Sequence, residues 1–322
     1  MRFYLRTGSF SKPLRFATHQ VSGLKIPVPG RDDGGVRIDS LGFRNPELEV
    51  PRPEGRQRIA FVGGSTTYCA EAKNNEDTWP HRVAETLREE RPELDLDYIN
   101  AGVSGYSTMS TRDNLIHRVL PLQPDIVVIY HATNDISKDT REAAKRQGLY
   151  RGHGDAGTWL AQHSMAWSLL EKNLILQSRI QQADSSEDRG VVNTAGLADE
   201  FAARLRGLIQ LTRESGAEPV LVTFSYRARE GMSEDELLDA CFSSLYYMPH
   251  MSPPGLLEIF TEYNEAIRRV SQEMGCLLID GADEIPGDGE HYRDSVHFHG
   301  PGLRKMAARV SSGLLESDLL AR

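Results

Sequence analysis

The stretch Arg58-Ile-Ala-Phe-Val-Gly-Gly-Ser65 decides the fold of this chain. It opens with a short run of consecutive apolar residues, without the apolar–polar alternation of a half-exposed strand. This pattern predicts a strand that is buried on both faces. The two glycines end the strand, and Ser65 stands where a helix would begin. Because doubly buried strands occur in parallel sheets that are covered by helices, the stretch indicates an α/β fold.

Four more apolar runs of similar length follow along the chain, at 97–101, 125–130, 219–224 and 276–280. Amphipathic patterns predict helices over 78–90, 109–120, 200–215, 256–274 and 301–314. Strands that alternate with helices form βαβ units, and the strands of such units are parallel. We therefore predict a three-layer α/β/α fold, with a parallel five-stranded sheet and helices on both of its faces.

Three segments depart from this alternation. Residues 1–58 are rich in Pro, Gly, Arg and Asp, which predicts an irregular N-terminal arm. In the remaining domain, 59–322, the segments 136–198 and 225–254 are longer than ordinary connections and are expected to be insertions. A helix is predicted near 165–180 in the first insertion, and the second, rich in aromatic residues and Met, is expected to cover a site.

The composition argues against several classes of function. The 322 residues carry 46 Asp and Glu against 37 Lys and Arg, and this formal charge of −9 disfavours nucleic-acid binding, which needs concentrated cations. The three cysteines, Cys69, Cys241 and Cys276, indicate neither a disulfide framework nor a zinc site. We find no pattern typical of a signal peptide or a membrane span, so we expect a cytoplasmic protein. The sequence predicts no oligomeric state.

Polar groups follow the ends of the predicted strands. Ser65 follows the first strand, Gly105 lies in a turn after the second, and Asn134 comes just after the third. Asp294 and His297 lie beyond the fifth strand, in an Asp-x-x-His spacing that by itself is more often a surface pair. Ligands of an open parallel sheet bind beyond the carboxyl ends of its strands, so we expect these groups to meet at one edge.

Together these residues predict nucleophilic catalysis by a serine. The hydroxyl of Ser65 needs an adjacent base, and His297 is the predicted base, with Asp294 holding its other ring nitrogen. The backbone N–H groups of Ser65 and Gly105 and the side-chain amide of Asn134 are the predicted donors to an oxyanion. This chemistry requires no metal and no cofactor. Ser65 does not lie in a Gly-x-Ser-x-Gly turn, which argues against the α/β-hydrolase fold.

These blocks, in this order and at strand ends, resemble those of the SGNH (GDSL-like) hydrolase superfamily. The matching residues are Gly64-Ser65, Gly105, Asn134 and Asp294-x-x-His297. The resemblance implies a flavodoxin-like sheet and a serine esterase. It further implies that small, acetyl-like acyl groups are removed from a carbohydrate or another polar substrate through an acyl-enzyme.

Segments 39–44 and 76–80 also resemble one branch of this superfamily. Three positions depart from its usual pattern. Gly64 stands where an Asp is usual before the serine, Cys69 stands where a glycine is usual after it, and Ala132 replaces a glycine two residues before the asparagine. None of these departures removes a catalytic group, so we expect the protein to be an active enzyme.

Four residues are candidates for contact with the substrate. Tyr226 and Arg227 come just past the fourth predicted strand. Phe242 and Met251 belong to the aromatic and Met-rich run, which we expect to form an apolar wall or lid that admits longer acyl chains.

Two alternative functions stay open at this point. An O-acyltransferase would use the same triad, with an alcohol in place of water in the second step. A flavodoxin-like FMN-binding protein would use residues 64–67 as a phosphate-binding loop. Under that second alternative, Asn134, Asp294 and His297 would have no evident role, which makes the esterase the leading hypothesis.

Overall fold

The computed structural model describes residues 15–149 and 191–321. The helix that we predict near 165–180 lies outside these ranges. The described part of the chain begins with a small antiparallel hairpin, formed by β1 (Phe16–Thr18) and β2 (Lys25–Pro27). None of the described helices is long and apolar enough to cross a membrane.

A five-stranded parallel sheet forms the centre of the protein. Its strands are β3 (Gln57–Gly63), β4 (Leu96–Asn100), β5 (Ile126–Tyr130), β6 (Glu218–Val222) and β7 (Leu277–Ile279). They lie in the order β4-β3-β5-β6-β7, and every neighbouring pair is parallel. This order is that of the flavodoxin-like doubly wound sheets, in which ligands bind where the strand order reverses, here between β3 and β5. The predicted fold class is confirmed.

Eight α-helices in the described ranges surround the sheet and cover both of its faces. They are α1 (Ser65–Tyr68), α2 (Trp79–Glu90), α3 (Thr108–Asn114), α4 (Thr133–Arg146), α5 (Leu197–Glu214), α6 (Glu234–Tyr247), α7 (Pro253–Met274) and α8 (Gly300–Leu315). One wide turn of π-helix, Leu115–Val119, continues α3. All seven residues of β3 are buried, as the doubly buried run predicts.

The sequence patterns missed two helices, α4 and α6, which lie in or overlap the segments 136–198 and 225–254. The buried face of α4 consists mainly of short side chains such as Ala143, Ala144 and Thr140, so few large apolar residues mark this helix in the sequence. Helix α6 begins with a capping box, in which Ser233 and Glu236 bond each other's backbone N–H groups. That Ser-x-x-Glu signal was readable in the sequence, but the aromatic run after it drew the interpretation toward a lid.

The N-terminal arm is attached to the body through Arg44. This side chain is 1% exposed and has no carboxylate partner among the described residues. Its guanidinium instead donates to Asn75 Oδ1 and to four backbone oxygens, those of Tyr68, Cys69, Ala72 and Asn74. A buried guanidinium requires such partners, because leaving it unpaired is costly. Segment 39–44 is therefore held against residues 68–75, which directly precede segment 76–80.

Candidate active site

Ser65, His297 and Asp294 form a hydrogen-bonded chain at the carboxyl edge of the sheet. The Nε2 atom of His297 lies 2.8 Å from Ser65 Oγ, and its Nδ1 atom lies 2.8 Å from Asp294 Oδ2. Because the carboxylate can only accept, Nδ1 carries the proton and Nε2 presents a lone pair to the serine hydroxyl. All three side chains are partly exposed, so a substrate can reach them.

A tight turn brings Asp294 and His297 together. Asp294 Oδ1 accepts from the backbone N–H groups of Val296 and His297, each at 2.9 Å, and this leaves Oδ2 for the imidazole. An Asp side chain that bonds backbone groups two and three residues on closes such a turn by itself. The backbone N–H of Arg293 also donates to the His297 carbonyl at 2.8 Å. The Asp-x-x-His spacing is therefore the spacing that this turn requires.

Ser65 is the first residue of α1, directly after β3. A side chain at Gly64 would place its Cβ 2.5 Å from Asn134 Nδ2, so the usual Asp could not stand there without displacing the amide. Helix α1 ends at Cys69, whose φ of 55° is in the left-handed region. This conformation is uncommon for a residue with a Cβ, which explains why a glycine is usual at that position.

The predicted oxyanion donors lie on the two loops beside Ser65. Gly105 is exposed in the turn after β4 and has a φ of 87°, a conformation that favours glycine. Asn134 lies in the first turn of α4, and its Nδ2 donates one hydrogen to the Tyr106 carbonyl at 2.8 Å. A primary amide carries two hydrogens, so a second remains for a ligand. Both loops flank the residue before the serine, because a Cβ at Gly64 would lie 2.5 Å from Asn134 Nδ2 and 3.2 Å from the Tyr106 carbonyl oxygen.

A buried polar network, not predicted from the sequence, lies beneath these loops. Asp135 is 2% exposed and accepts from the backbone N–H of Thr108 at 3.1 Å and from its hydroxyl at 2.5 Å. Burial raises the pKa of Asp135 to about 6, although the Thr108 bonds and the charge of Arg204 oppose the shift. Asp135 therefore ties the start of α3 to the first turn of α4. In the sequence, only its position next to Asn134 indicated a role for Asp135, and Asn134-Asp135 could equally have formed a local turn.

The interaction between Asp294 and His297 lowers the pKa of the aspartate and raises the pKa of the histidine. Burial alone would raise the pKa of Asp294, but the bonds from His297 and from the backbone lower it to about 2. Burial alone would lower the pKa of His297, but the hydrogen bond and the charge of Asp294 raise it above 6.5. An ion pair between Glu71 and Arg293, not anticipated from the sequence, flanks the imidazole. The arrangement keeps Asp294 ionised and makes His297 a stronger base.

Of the four predicted substrate contacts, Tyr226 and Met251 are buried, whereas Arg227 lies beside the Asp-x-x-His turn, where its backbone N–H donates to the Ser295 carbonyl at 3.0 Å. Tyr226 is 4% exposed, stacks on the ring of Phe260 at 3.8 Å and directs its hydroxyl to Cys241. Met251 is 6% exposed and belongs to the main apolar core. Arg227 forms an ion pair with Asp239 of α6, 2.6 Å away.

Phe242, the fourth predicted substrate contact, is partly exposed and lies on α6, a helix with a capping box at its start. Cys241 and Ser244 of this helix are buried, and the N–H of Ser244 donates to Ser295 Oγ at 3.2 Å. Ser295 lies inside the Asp-x-x-His turn. Helix α6 therefore holds the Asp-x-x-His turn in place through hydrogen bonds to Ser295.

Two other reactive side chains near the site, those of Cys69 and His131, are buried and hydrogen-bonded to neighbouring protein groups. The Sγ atom of Cys69 contacts the carbonyl of Thr67 at 3.3 Å, and burial raises the pKa of this thiol to about 12. His131 is 3% exposed and bonds Thr111 at 2.8 Å, and burial lowers its pKa to about 3. Across residues 15–149 and 191–321, no three His, Cys, Asp or Glu side chains cluster as a metal site would require.

The sequence matches the GDSL-like Lipase/Acylhydrolase family over residues 61–305. The chain belongs to this family. It is therefore an acylhydrolase that acts on carboxylic esters, and the resemblance to the SGNH (GDSL-like) superfamily is confirmed. The matched range begins inside β3 and ends in α8, so it contains the serine, the Asp-x-x-His turn and both donor loops.

Several solved structures are similar in fold at low sequence identity. The acetyl xylan esterase AlAXEase is 17% identical, covers 80% of this chain and 99% of its own, and has a TM-score of 0.48. Axe2, an acetylxylan esterase from Geobacillus stearothermophilus, is 17% identical over 80% and 94% of the two chains, with a TM-score of 0.48. LAE5, an alpha/beta hydrolase enzyme from the metagenome of Lake Arreo, is 16% identical over 81% and 97%, with a TM-score of 0.49. No curated protein gives a significant match.

Proposed function

We propose that this acylhydrolase is a serine esterase in which Ser65 is the nucleophile and His297 is the general base. Asp294 holds the imidazole and stabilises its charged form. The N–H groups of Ser65 and Gly105 and the amide of Asn134 bind the oxyanion. The observation that carries the proposal is the unbroken chain Ser65 Oγ–His297–Asp294, with 2.8 Å at each contact.

The reaction takes two steps. In the first, Ser65 Oγ bonds to the acyl carbon while its proton passes to His297 Nε2, and the alcohol leaves with that proton. In the second, His297 takes a proton from water, the hydroxide attacks the acyl-enzyme, and the acid is released as Ser65 recovers its proton. The carbonyl oxygen becomes negative in both steps, which is when donors fixed in advance contribute most.

The polar surroundings of the site support a polar alcohol component carrying a small acyl group. Glu71 and Arg293 lie beside His297 and are 23% and 59% exposed. Of the two residues predicted to form an apolar wall, Met251 belongs to the core, and Phe242 is partly exposed on α6. We infer that acetyl esters of a carbohydrate or similar alcohol are better substrates than esters of long acyl chains.

Labelling with a fluorophosphonate tests the nucleophile. The reagent phosphylates a serine that an adjacent base activates, so mass spectrometry should find a single adduct on the peptide that contains Ser65. Ser65→Ala should lose both the adduct and the hydrolysis of p-nitrophenyl acetate, with an unchanged thermal midpoint. Thr66→Ala is a suitable control, because Thr66 is adjacent but buried. An adduct elsewhere, or full turnover by Ser65→Ala, would contradict the assignment.

Product analysis distinguishes hydrolysis from acyl transfer. Both reactions pass through the same acyl-enzyme, and they differ in whether water or an alcohol attacks it. With p-nitrophenyl acetate and excess glycerol or xylose, an esterase should release mainly acetate, even at high acceptor concentration. Acetylated acceptor as the main product would favour the O-acyltransferase instead. FMN binding, the other alternative, would leave the hydrogen-bonded triad without a role.

A further inference from the structure

The N-terminal hairpin contacts the active site at the Gly105 turn. Lys25, on β2, donates from Nζ to the carbonyl oxygen of Ser104 at 2.6 Å. The backbone carbonyl of the same lysine accepts from the Tyr106 hydroxyl, also at 2.6 Å. A single residue of the arm therefore holds the turn on both sides of Gly105.

The Ser104 carbonyl and the Gly105 N–H belong to the same peptide group. In a trans peptide these two groups point in opposite directions, so a cation at the oxygen leaves the N–H free on the other side. A charged donor at the oxygen also draws electron density from the nitrogen and makes the N–H a better donor. We propose that Lys25 is a positioning residue that polarises the Ser104–Gly105 peptide and thereby strengthens Gly105 as an oxyanion donor.

The contacts of the ammonium group support this role. Within residues 15–149 and 191–321, no carboxylate forms an ion pair with Lys25, so its charge is not neutralised by a neighbour. Its other close contact is the ring of Phe16, whose centroid lies 4.8 Å from Nζ. Partial burial lowers the pKa of Lys25, while burial raises that of the adjacent Tyr106 to about 12. The proposal rests on the proposed function, because it needs Gly105 to act as a donor.

Substitutions at Lys25 separate the charge from the hydrogen bond. Losing a whole oxyanion donor costs roughly 100- to 1,000-fold in kcat, and weakening one by a fraction should cost about 5-fold. We expect kcat of Lys25→Met to fall about 5-fold, with KM changed less than 2-fold. Lys25→Arg should restore most of the loss, and Lys25→Gln, which keeps a donor without charge, should lie between them. The matched control is Lys138→Met, since Lys138 donates to the Ser107 hydroxyl and not to a peptide.

The pH dependence distinguishes polarisation from simple packing. The ratio of wild-type kcat to Lys25→Met kcat should be about 5 near pH 8. It should fall toward the smaller ratio expected of Lys25→Gln over Lys25→Met as Lys25 loses its proton, at a pH below the ordinary value of 10.5, because the neutral amine is still a donor. Tyr106 stays neutral over most of this range, so it does not produce the change. A ratio that stays constant with pH would show a packing role and overturn the proposal.

The remaining outcomes are also decisive. A Lys25→Met enzyme with wild-type kcat, or one whose loss appears only in KM, overturns the role of Lys25 while leaving the triad intact. If Ser65→Ala keeps its activity, the proposed function itself fails, and the two failures are thereby distinguished. If Lys25→Met does not fold, as judged by circular dichroism, Lys25→Gln is measured in its place. A Lys25→Gln enzyme with the kcat of Lys25→Arg would overturn the need for charge.

Discussion

The loop before α8 contains two Asp-x-x-His turns of nearly identical geometry. Asp288 accepts from the backbone N–H groups of Glu290 and His291 at 3.0 Å, as Asp294 does from Val296 and His297 at 2.9 Å. The Nδ1-to-carboxylate distance is 2.8 Å in both turns. Only His297 reaches Ser65. The Asp-x-x-His spacing fixes the local turn in both cases. Only the turn that lies over the sheet edge, at Asp294, becomes part of the active site.

The two turns also differ in how the carboxylate is used. Asp288 bonds both its own turn and the His291 ring through the same oxygen, Oδ1, and its side chain is 52% exposed. Asp294 divides the two tasks between its oxygens and is 29% exposed. A carboxylate with one oxygen committed to the ring holds the imidazole at a defined angle. The Asp294 turn is therefore better suited to orienting a base.

The largest expected difference concerns the two imidazoles. His297→Ala should reduce kcat for p-nitrophenyl acetate by about 10⁴- to 10⁶-fold, close to the loss in Ser65→Ala, because triad members act as a unit. His291→Ala should stay within about 3-fold of the wild type, since the His291 ring bonds Asp288 of its own turn and not Ser65. Steady-state kinetics of the two variants provide the comparison. Equal losses would mean that the two turns are not functionally distinct.

Substitution of the two carboxylates should also reduce kcat more in the Asp294 turn than in the Asp288 turn, but by less than substitution of the two imidazoles. Asp294→Asn should lower kcat by about 10³- to 10⁴-fold, because an amide does not fix the required tautomer of His297. Asp288→Asn is its counterpart in the other turn, and its kcat should change less than 2-fold. KM should be similar in both variants. A mild Asp294→Asn phenotype would show that the backbone of the turn alone orients the imidazole.

The pH profile tests the charge coupling within the Asp294 turn. His297 must be neutral to take the serine proton, so kcat/KM should fall about ten-fold per pH unit below its pKa. Because Asp294 raises that pKa, the midpoint should lie above 6.5. Removing the negative charge in Asp294→Asn should move the midpoint to lower pH, as followed by NMR titration of the ring in a Ser65→Ala background. An unmoved midpoint would contradict the coupling.

The smallest expected effect is on stability. Asp288→Ala removes the bonds to its own turn, and we expect about 1 kcal/mol lower free energy of unfolding in urea with unchanged kcat. Ser295→Ala, in the other turn, removes the oxygen that accepts from the Ser244 N–H. We expect it to lower the free energy of unfolding by a similar amount. A loss of several kcal/mol in Asp288→Ala would give the outer turn a structural role that its exposure does not suggest.

Much of the fold could be predicted because short apolar runs and amphipathic periods report burial directly. Helix α4 was missed because Ala and Thr fill its buried face, and α6 because its aromatic run obscured the capping box at Ser233. Side chains that act across long sequence distances gave no signal at all. Lys25 meets a residue 79 positions away, and Glu71 meets one 222 positions away. No local pattern encodes such contacts.

The sequence by itself determined the five strands of the sheet and most of the helices between them, the residue types at the strand ends and the internal geometry of each Asp-x-x-His turn. These features depend on interactions within a few residues, namely apolar periodicity, glycine at positive φ and side-chain bonds to nearby backbone. The family resemblance pointed to Asp294 and His297, but only the tertiary structure brings that turn, and not the one at Asp288, against Ser65. That choice depends on how the loop after β7 lies over the sheet edge, where α6 and the strand ends hold it in place.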